Sequence, residues 1–422
     1  MNHVIIVGCG VVGATIAYEL SLNSAFRITV LDRQLPAQAS TGAALGVLMG
    51  AISQKKKGRA WSMRDASIRR YATLVPELEA ATGMHIPYNQ DGIVLLRFEG
   101  DEDDEKWRTL ATLRQSQGWQ LDLWDKATLH RRCPDVGDVL RTPEGDRLII
   151  GAVHSVHDRQ IDPVALTHAL VAAAQRNGVE FLFDAAVTTI ARTDGAGLAS
   201  GQAPYHVEYC CSSRDDTQEV MVTRQSLPAH QIVISTGLGT FPLTAAVLNS
   251  ALHSPSSTPQ PIEKTSTSTS APVDIRPVAG QAVRIKLSQP TINTAFTPVI
   301  SGNDIHVVPL KAGDYWVGAT VEFPDEAAAR AGMQDCAVRD ALLETVLKGA
   351  YDLFPLLSEG TITQQWIGYR PRPWNRPAPV IETLGHVPNI IVATGHYRNG
   401  VLLAPATAQQ VRALIESQYN GQ

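Results

Sequence analysis

Three stretches of this chain combine residue types at spacings that could do chemistry. The first is Gly8-Cys9-Gly10-Val11-Val12-Gly13, followed nineteen positions after Gly13 by Asp32. Gly8 permits a tight turn, Gly10 lets main chain approach a pyrophosphate, and Gly13 lets a helix pack closely on the preceding strand. The free N–H groups and positive dipole end of that helix then face the phosphates. A carboxylate at Asp32 is placed to accept hydrogen bonds from a ribose 2′-OH. The second stretch, Ser40–Ala51, is small and apolar and suits a flat ligand lying close to backbone, or the close packing of a helix start. The third, Ser235-Thr236-Gly237, ends an apolar run in small residues, as a strand passing beneath a nucleotide does and as a plain strand-to-loop turn does.

These residues need a scaffold. Val4–Val7 is apolar and β-branched, the composition of a strand buried on both faces. A helix is expected from Val11 to about Leu22 and a second strand over Ile28–Leu31. The run Val4–Ala17 does not read as a signal peptide, because no Lys or Arg precedes it and glycines interrupt it. Trp61–Thr82 has helical periodicity and Gly83 stands where a C′ residue would. Ile93–Phe98 and Leu148–His154 read as strands and Glu102–Gln117 as a charged helix. Asp162 is a cap candidate with Pro163 at the first helical position, so Asp162–Asn177 reads as a helix. Val179–Phe183 and Val187–Ala191 read as strands of a second βαβ-like stretch feeding the first sheet, and His230–Ser235 as a buried strand. Gly280–Leu287, Ile305–Pro309 and Tyr315–Val321 form a run of strands, the signature of a mainly antiparallel second domain. Asp335–Phe354 and Ala404–Glu416 read as helices, and Ile390–Ala393 as a last buried strand.

Composition sets limits. The length of 422 residues suggests about two to three domains, and 44% apolar and 18% charged residues suit a globular core. A net charge of −5 provides no basic field for nucleic acid. Lys55, Lys56, Lys57 and Arg59 form the one dense basic cluster, read as a solvated loop or as a contact for a partner or membrane surface. The five cysteines, Cys9, Cys133, Cys210, Cys211 and Cys336, are odd in number and form no C-x-x-C pair, which suits reduced thiols in a cytoplasmic protein. No metal-ligand spacing and no membrane-length apolar run occurs. Residues 253–272 are low in complexity and read as a mobile surface loop inserted within a domain.

The glycine signature resembles that of FAD-dependent amine oxidoreductases, and Ala43-Ala44-Leu45-Gly46-Val47-Leu48 resembles their flavin-contacting segment. Gly368-Tyr369-Arg370-Pro371 is similar to the family's G-x-R-P. The run from Thr394-Gly395-His396-Tyr397-Arg398-Asn399-Gly400-Val401-Leu402-Leu403 to Thr407 closely resembles that of the glycine oxidases, the thiamine-pathway branch of the D-amino-acid-oxidase family. The resemblance implies an α/β (overall α+β) chain: a discontinuous Rossmann-like FAD-binding domain (1–85, 148–250 and 362–422) and a substrate domain (86–147 and 273–361) built on a mainly antiparallel sheet. It implies FAD, held non-covalently because Cys336 lies well before Gly368. It further implies cofactor contacts from Gly8, Gly10, Val11, Val12, Gly13, Asp32, Arg33, Ala43, Ala44, Gly46, Val47, Val187, Thr236, Gly237, Arg370, His396, Arg398, Asn399, Gly400, Val401 and Leu402.

Within this resemblance Arg370 is expected to take the substrate carboxylate, its planar guanidinium matching two carboxylate oxygens. Arg372 and Arg376 stand close by and compete for the role. Arg398 is expected at the rim of the active site. A helix starting around Leu402–Ala404 would turn its N-terminal end toward the flavin. His306 stands where the glycine oxidases carry a tyrosine. Either it donates a hydrogen bond and titrates near neutral pH, or it is a strand residue without a contact. Val47 replaces a methionine. Trp366 and Tyr369 line the pocket or belong to the core. The implied activity is oxidative deamination of glycine, another small (D-)amino acid or a secondary amine, with dioxygen or another acceptor as partner, in a homo-oligomer. Rival readings are a dehydrogenase serving a quinone or carrier, and a non-catalytic flavin-binding subunit. A nicotinamide enzyme would leave the C-terminal run without a role.

Overall fold

Val4, Ile5 and Ile6 are fully buried, each contributing about 1.5–3 kcal/mol, because their strand has neighbours on both edges, helices on one face and strands of a separate sheet on the other. The computed structural model describes residues 2–101, 104–193, 202–214, 220–252, 271–323, 339–385 and 387–420. The strand Asn2–Val7 runs parallel to Phe26–Leu31 on one side and Gln231–Ile234 on the other. The six-stranded sheet has the order Glu180–Leu182, Phe26–Leu31, Asn2–Val7, Gln231–Ile234, Ile390–Thr394, Val380–Thr383, and only the last pairing is antiparallel. Helix Val11–Ser21 packs against both Pro163–Arg176 and the last helix, Gly400–Asn420.

Local chemistry sets the helix ends. The Asp162 carboxylate accepts from the N–H groups of Val164 and Ala165, both at 2.9 Å, ahead of Pro163. Helix Gly58–Thr82 stops at Gly83, which takes a left-handed conformation and donates its N–H to the Glu79 carbonyl.

A nine-stranded sheet lies beside this layer. Its path is Thr361–Pro373, Ile275–Lys286, Asp314–Gly318, Ile305–Pro309, Val299–Gly302, Ile93–Phe98, Gly145–Ser155 and Asp122–Asp125, with Val139–Thr142 also paired to Gly145–Ser155. Every pairing is antiparallel except that of Val299–Gly302 with Ile93–Phe98. It carries its own core, including Val94, Leu96, Val283, Ile285, Val307 and Leu353. The antiparallel run read from the sequence is therefore present.

One expectation changes. Glu180–Leu182 joins the first sheet, but the next strand, Ala185–Arg192, does not. Only Phe183 and Asp184 separate the two, and a parallel neighbour needs a crossover of a dozen or more residues. The chain turns at Asp184, with φ of 53°, and Ala185–Arg192 pairs antiparallel with Tyr205–Arg214, which pairs with Val220–Ala229. Residues 253–270 of the expected loop and Cys336 lie outside the described residues. Among the described residues no helix is long and apolar enough to cross a membrane, no group of acidic, His and Cys side chains is arranged for a metal, and Cys9, Cys133, Cys210 and Cys211 are free thiols.

Candidate functional site

The glycine signature forms a tight turn between strand and helix. Gly8 has φ of 104°, and a Cβ there would lie 2.7 Å from the Ser235 carbonyl oxygen. A Cβ on Gly13 would lie 1.9 Å from the Gly8 carbonyl oxygen, so the helix seats on the turn only because that atom is missing. The Ser235 hydroxyl donates to this turn, with Val7 O at 3.0 Å and Gly8 O at 3.1 Å, and so ties the end of a distant strand to it. The Asp32 carboxylate takes the N–H of Cys9 at 2.6 Å and that of Gln34 at 2.9 Å. Burial raises its pKa against the pull of those N–H groups.

A cavity of about 580 Å³ opens above this turn. Gly8, Gly10, Val11, Val12, Asp32, Arg33, Ala43, Ala44, Gly46, Val47, Val187, Thr236 and Gly237 all line it. Arg370, His306, His396, Arg398, Gly400, Val401 and Leu402 line the same cavity, so both sheets contribute to one site. Two expected contacts are absent from its lining. Gly13 sits behind the turn, and the Asn399 side chain is engaged elsewhere, accepting from Arg64 Nη2 at 3.3 Å.

The three arginines of the proline-rich stretch separate cleanly. Arg370 reaches the cavity, with its Nη1 donating to the Ala279 carbonyl at 2.9 Å. Burial and the neighbouring Arg398 cation lower its pKa. It lies over Gly280, whose missing Cβ makes the room: that atom would stand 2.3 Å from Arg370 Nη2. Arg372 stacks on Phe323 and Tyr397, and Arg376 pairs with Glu382. Arg398 is half-exposed and pairs with Asp304 at 3.1 Å.

His306 lies on the strand Ile305–Pro309 with Nδ1 2.8 Å from the Ser301 hydroxyl. Burial, the Arg398 cation and, more weakly, Arg370 push its pKa down to about 4. The expectation of titration near neutral pH is therefore corrected: desolvation and two nearby cations keep this ring neutral. His396 presents main chain to the cavity while its ring turns inward, Nε2 lying 2.8 Å from Thr407 Oγ1; burial pushes it down to about 3. The helix behind it starts at Gly400, two residues before the expected position.

The sequence of residues 3–414 matches the family described as FAD dependent oxidoreductase. The chain belongs to that family. The "Bifunctional protein ThiO/ThiG" of Nostoc sp. is 28% identical over 99% of this chain, and the chain spans about half (53%) of that relative's length. The "Glycine oxidase" of Bacillus licheniformis is 24% identical over 97% of this chain and 92% of its own. The crystal structure of glycine oxidase from Geobacillus kaustophilus superposes with a TM-score of 0.75 at 21% identity, covering 99% of this chain and 95% of the other, a likeness of fold. Within that family it is similar in sequence to proteins named glycine oxidase and ThiO/ThiG.

The donor set of this FAD-dependent oxidoreductase suits its cofactor. A glycine turn at a helix N-terminus, a carboxylate at the end of the second strand and a long cavity of small residues are what a dinucleotide requires. Sequence reasoning singled out several of the supporting residues but not the contacts they make. Thr41 Oγ1 accepts the Val11 N–H at 3.0 Å, the Ser40 hydroxyl donates to the Tyr369 carbonyl at 2.6 Å, and Trp366 Nε1 donates to the Ala43 carbonyl at 3.1 Å. Together they fasten segment 40–43 to both sheets. Tyr369 lines the cavity, whereas Trp366 packs with Trp316 beside it.

Also missed was a buried ionic clamp. Asp158 is fully buried and accepts from the N–H groups of Gly50, Ala51 and Ile52 at 2.5, 2.8 and 2.7 Å. Arg114, equally buried, donates to the carbonyls of Ala51, Ser53 and Lys55 and stacks on Trp61. Segment 50–55 is thereby held from both sides, and Lys55 at its end and Lys57 and Arg59 just beyond it are exposed.

Proposed function

We propose that the chain oxidises glycine, another small amino acid or a secondary amine at the carbon bearing nitrogen. The observation that carries this reading is the partly buried Arg370 guanidinium, which opens into the cavity that the glycine turn and Asp32 also line. FAD, when bound, supplies the two-electron acceptor and passes the electrons on to dioxygen or another acceptor. Asp32, the Gly10–Gly13 turn and segment 43–47 would hold it, with Gly395 and Gly400–Leu402 against its ring. No cysteine lines the cavity among the described residues, which supports non-covalent attachment.

The protein's own part is positioning and electrostatics. Arg370 is a desolvated cation beside a second cation, so a carboxylate bound there relieves an existing cost as well as forming charge-assisted hydrogen bonds. A neutral His306 avoids adding a third positive charge. Where Ser301 donates to Nδ1, the other ring nitrogen carries the proton and donates to the carboxylate. Where Nδ1–H donates to Ser301, the other nitrogen accepts from the amine N–H. The positive end of the helix beginning at Gly400 favours negative charge near the ring site. Loss of the Cα–H electrons leaves an imine, which water hydrolyses to a keto acid and ammonia or amine.

The proposed domain division follows the same logic. The cofactor domain takes in the six-stranded sheet from segments 1–85, 148–250 and 362–422. The substrate domain takes in 86–147 and 273–361. Strands Gly145–Ser155 and Thr361–Pro373 pair with the nine-stranded sheet, which draws the crossings toward 156 and 374.

The test is anaerobic titration of the holoenzyme with glycine, sarcosine, D-alanine, D-proline and L-amino acids. Bleaching of the oxidised-flavin absorbance by one or more is the expected result. Retained FAD with no bleaching by any of them overturns the proposal.

A further inference from the structure

We propose that Glu322 is a positioning residue of this site: it holds Ala279–Gln281, the stretch of strand on which Arg370 lies, and so sets where that guanidinium meets the substrate carboxylate. This rests on the amine-oxidising reading above. Strand Ile275–Lys286 pairs with Thr361–Pro373 along its whole length, but with Asp314–Gly318 only from Ala282 onward. On that second edge Ala279 and Gln281 are met instead by Glu322 and Thr320. The Glu322 N–H donates to the Ala279 carbonyl at 3.0 Å, and the Ala279 N–H to the Glu322 carbonyl at 2.9 Å. The Ala279 carbonyl is the same atom that accepts from Arg370 Nη1 at 2.9 Å. The Gln281 N–H donates to Thr320 Oγ1 at 2.8 Å, and the Thr320 N–H to the Gln281 carbonyl at 3.2 Å. Gly280, directly under the guanidinium, is therefore flanked by two tethered residues.

The Glu322 side chain locks these tethers together. It is buried, and one carboxylate oxygen accepts from the Thr320 hydroxyl at 2.5 Å and from Gln281 Nε2 at 2.9 Å. The other accepts the Arg339 N–H at 3.1 Å. Burial raises the pKa of this group, but the three donors outweigh it, so the carboxyl sits below its ordinary value and is ionised. Tyr397 and, more weakly, the Glu322 charge oppose the fall in pKa that burial and Arg398 impose on Arg370. The donors around Glu322 call for a carboxylate. Glutamine has the same reach but one acceptor oxygen, so its NH2 group must face either the Gln281 amide or the Arg339 N–H. A buried ion adds little net stability against a well-packed apolar replacement, whereas the aim of Arg370 depends on Ala279 staying where it is.

The experiment uses the FAD-loaded wild-type enzyme, E322Q, G280A, the E322Q/G280A double variant and T320V. Titration of the flavin absorbance gives the affinity of acetate, an inert carboxylate. Anaerobic reduction by glycine, sarcosine and D-alanine gives the affinity and limiting rate for each amine. FAD dissociation and the urea midpoint are read on the same preparations. The expected E322Q enzyme is folded, holds FAD and binds acetate and the reducing amine about tenfold more weakly, the loss falling on affinity more than on the limiting rate. T320V, which cuts the tether to the Gln281 N–H, shifts acetate affinity the same way. In the double variant the loss stays within about twofold of that in G280A alone, because both changes act through one guanidinium. The proposal is overturned by losses that multiply in the double variant, by unchanged acetate affinity in folded E322Q, by loss of FAD in step with acetate, or by a wild type that does not bind acetate. Should E322Q fail to fold, T320V decides, and acetate affinity equal to that of the wild type refutes the positioning role. If an amine reduces the flavin while these variants leave acetate affinity unmoved, the positioning role fails and the amine-oxidising reading stands. If no amine reduces the flavin, that reading fails, and acetate affinity still reports on the seat of Arg370.

Discussion

Replacing Gly280 by alanine tests the role of Arg370 without touching the arginine. The added Cβ would stand 2.3 Å from Nη2, 2.4 Å from Nη1 and 2.5 Å from Cζ of Arg370. Ordinary non-bonded contact requires about 3.5 Å, so the guanidinium must retreat by roughly 1.2 Å. The strand backbone is held by pairing on both edges, to Thr361–Pro373 and Asp314–Gly318, and the flexible side chain yields first. The Nη1 bond to the Ala279 carbonyl, now 2.9 Å, is lost over that distance. A bound carboxylate then loses a well-aimed charge-assisted fork, about 1.5–3 kcal/mol, or one to two powers of ten in affinity. The assay is the dissociation constant of the reducing amino acid in anaerobic titration, beside FAD retention and thermal unfolding of the same preparation. The expected variant is folded, yellow and weak for substrate. Unchanged substrate affinity would refute the assignment of the carboxylate to Arg370, and loss of FAD in step with substrate would show that the strand moved instead.

Three more outcomes follow from the geometry. G368A places a Cβ 2.4 Å from that of Ala43 and should weaken FAD binding at least tenfold while sparing the fold, as read by flavin fluorescence on dilution. His306, held neutral down to about pH 4 against an ordinary value of 6.5, takes up a proton in the unfolded chain that the folded chain refuses. Stability should therefore rise with pH between about 4 and 6.5 and level off above. H306Q should flatten part of that slope in urea titrations, leaving the share due to His396, and an unaltered slope would count against the buried environment. D158A removes the acceptor of three backbone N–H groups and leaves nearby Arg114 and Arg64 uncompensated, which should cost about 3–5 kcal/mol; a urea midpoint close to that of the wild type would refute the clamp.

How far the sequence revealed this site depends on the range of each interaction. Short-range signals were legible. The glycine turn, the Asp162–Pro163 helix start and the Gly83 stop each depend on a few neighbouring residues with one dominant physical role. Buried strands such as Asn2–Val7 showed through continuous apolar runs, here Val4 to Val7. Strands Tyr205–Arg214 and Val220–Ala229 did not, because they carry charged and small polar residues and lie in a sheet separate from the six-stranded layer. Thr361–Pro373 is an edge strand whose first five residues are exposed, so no alternation marks it. The clamp of Arg114 and Asp158 gave no signal at all, since a buried ion in sequence looks like any surface charge until its partners, far away in the chain, are known. The Asp304 partner of Arg398 was hidden for the same reason.

The central strand Asn2–Val7 is flanked by Gln231–Ile234, which in turn is flanked by Ile390–Thr394, and the Tyr71 hydroxyl donates to the Val401 carbonyl at 2.5 Å. The sheet begun by one segment is thus completed by another far along the sequence. At about 5–20 residues per second, synthesis leaves the glycine turn waiting on the order of a minute for the wall that closes the cavity. Cofactor capture is in this sense a checkpoint: the cavity that would hold FAD is complete only once both distant segments are in place. Every molecule of FAD held then draws the population toward the native state by mass action. Yellow colour in a preparation of this protein would then report that both segments are in place around the cavity.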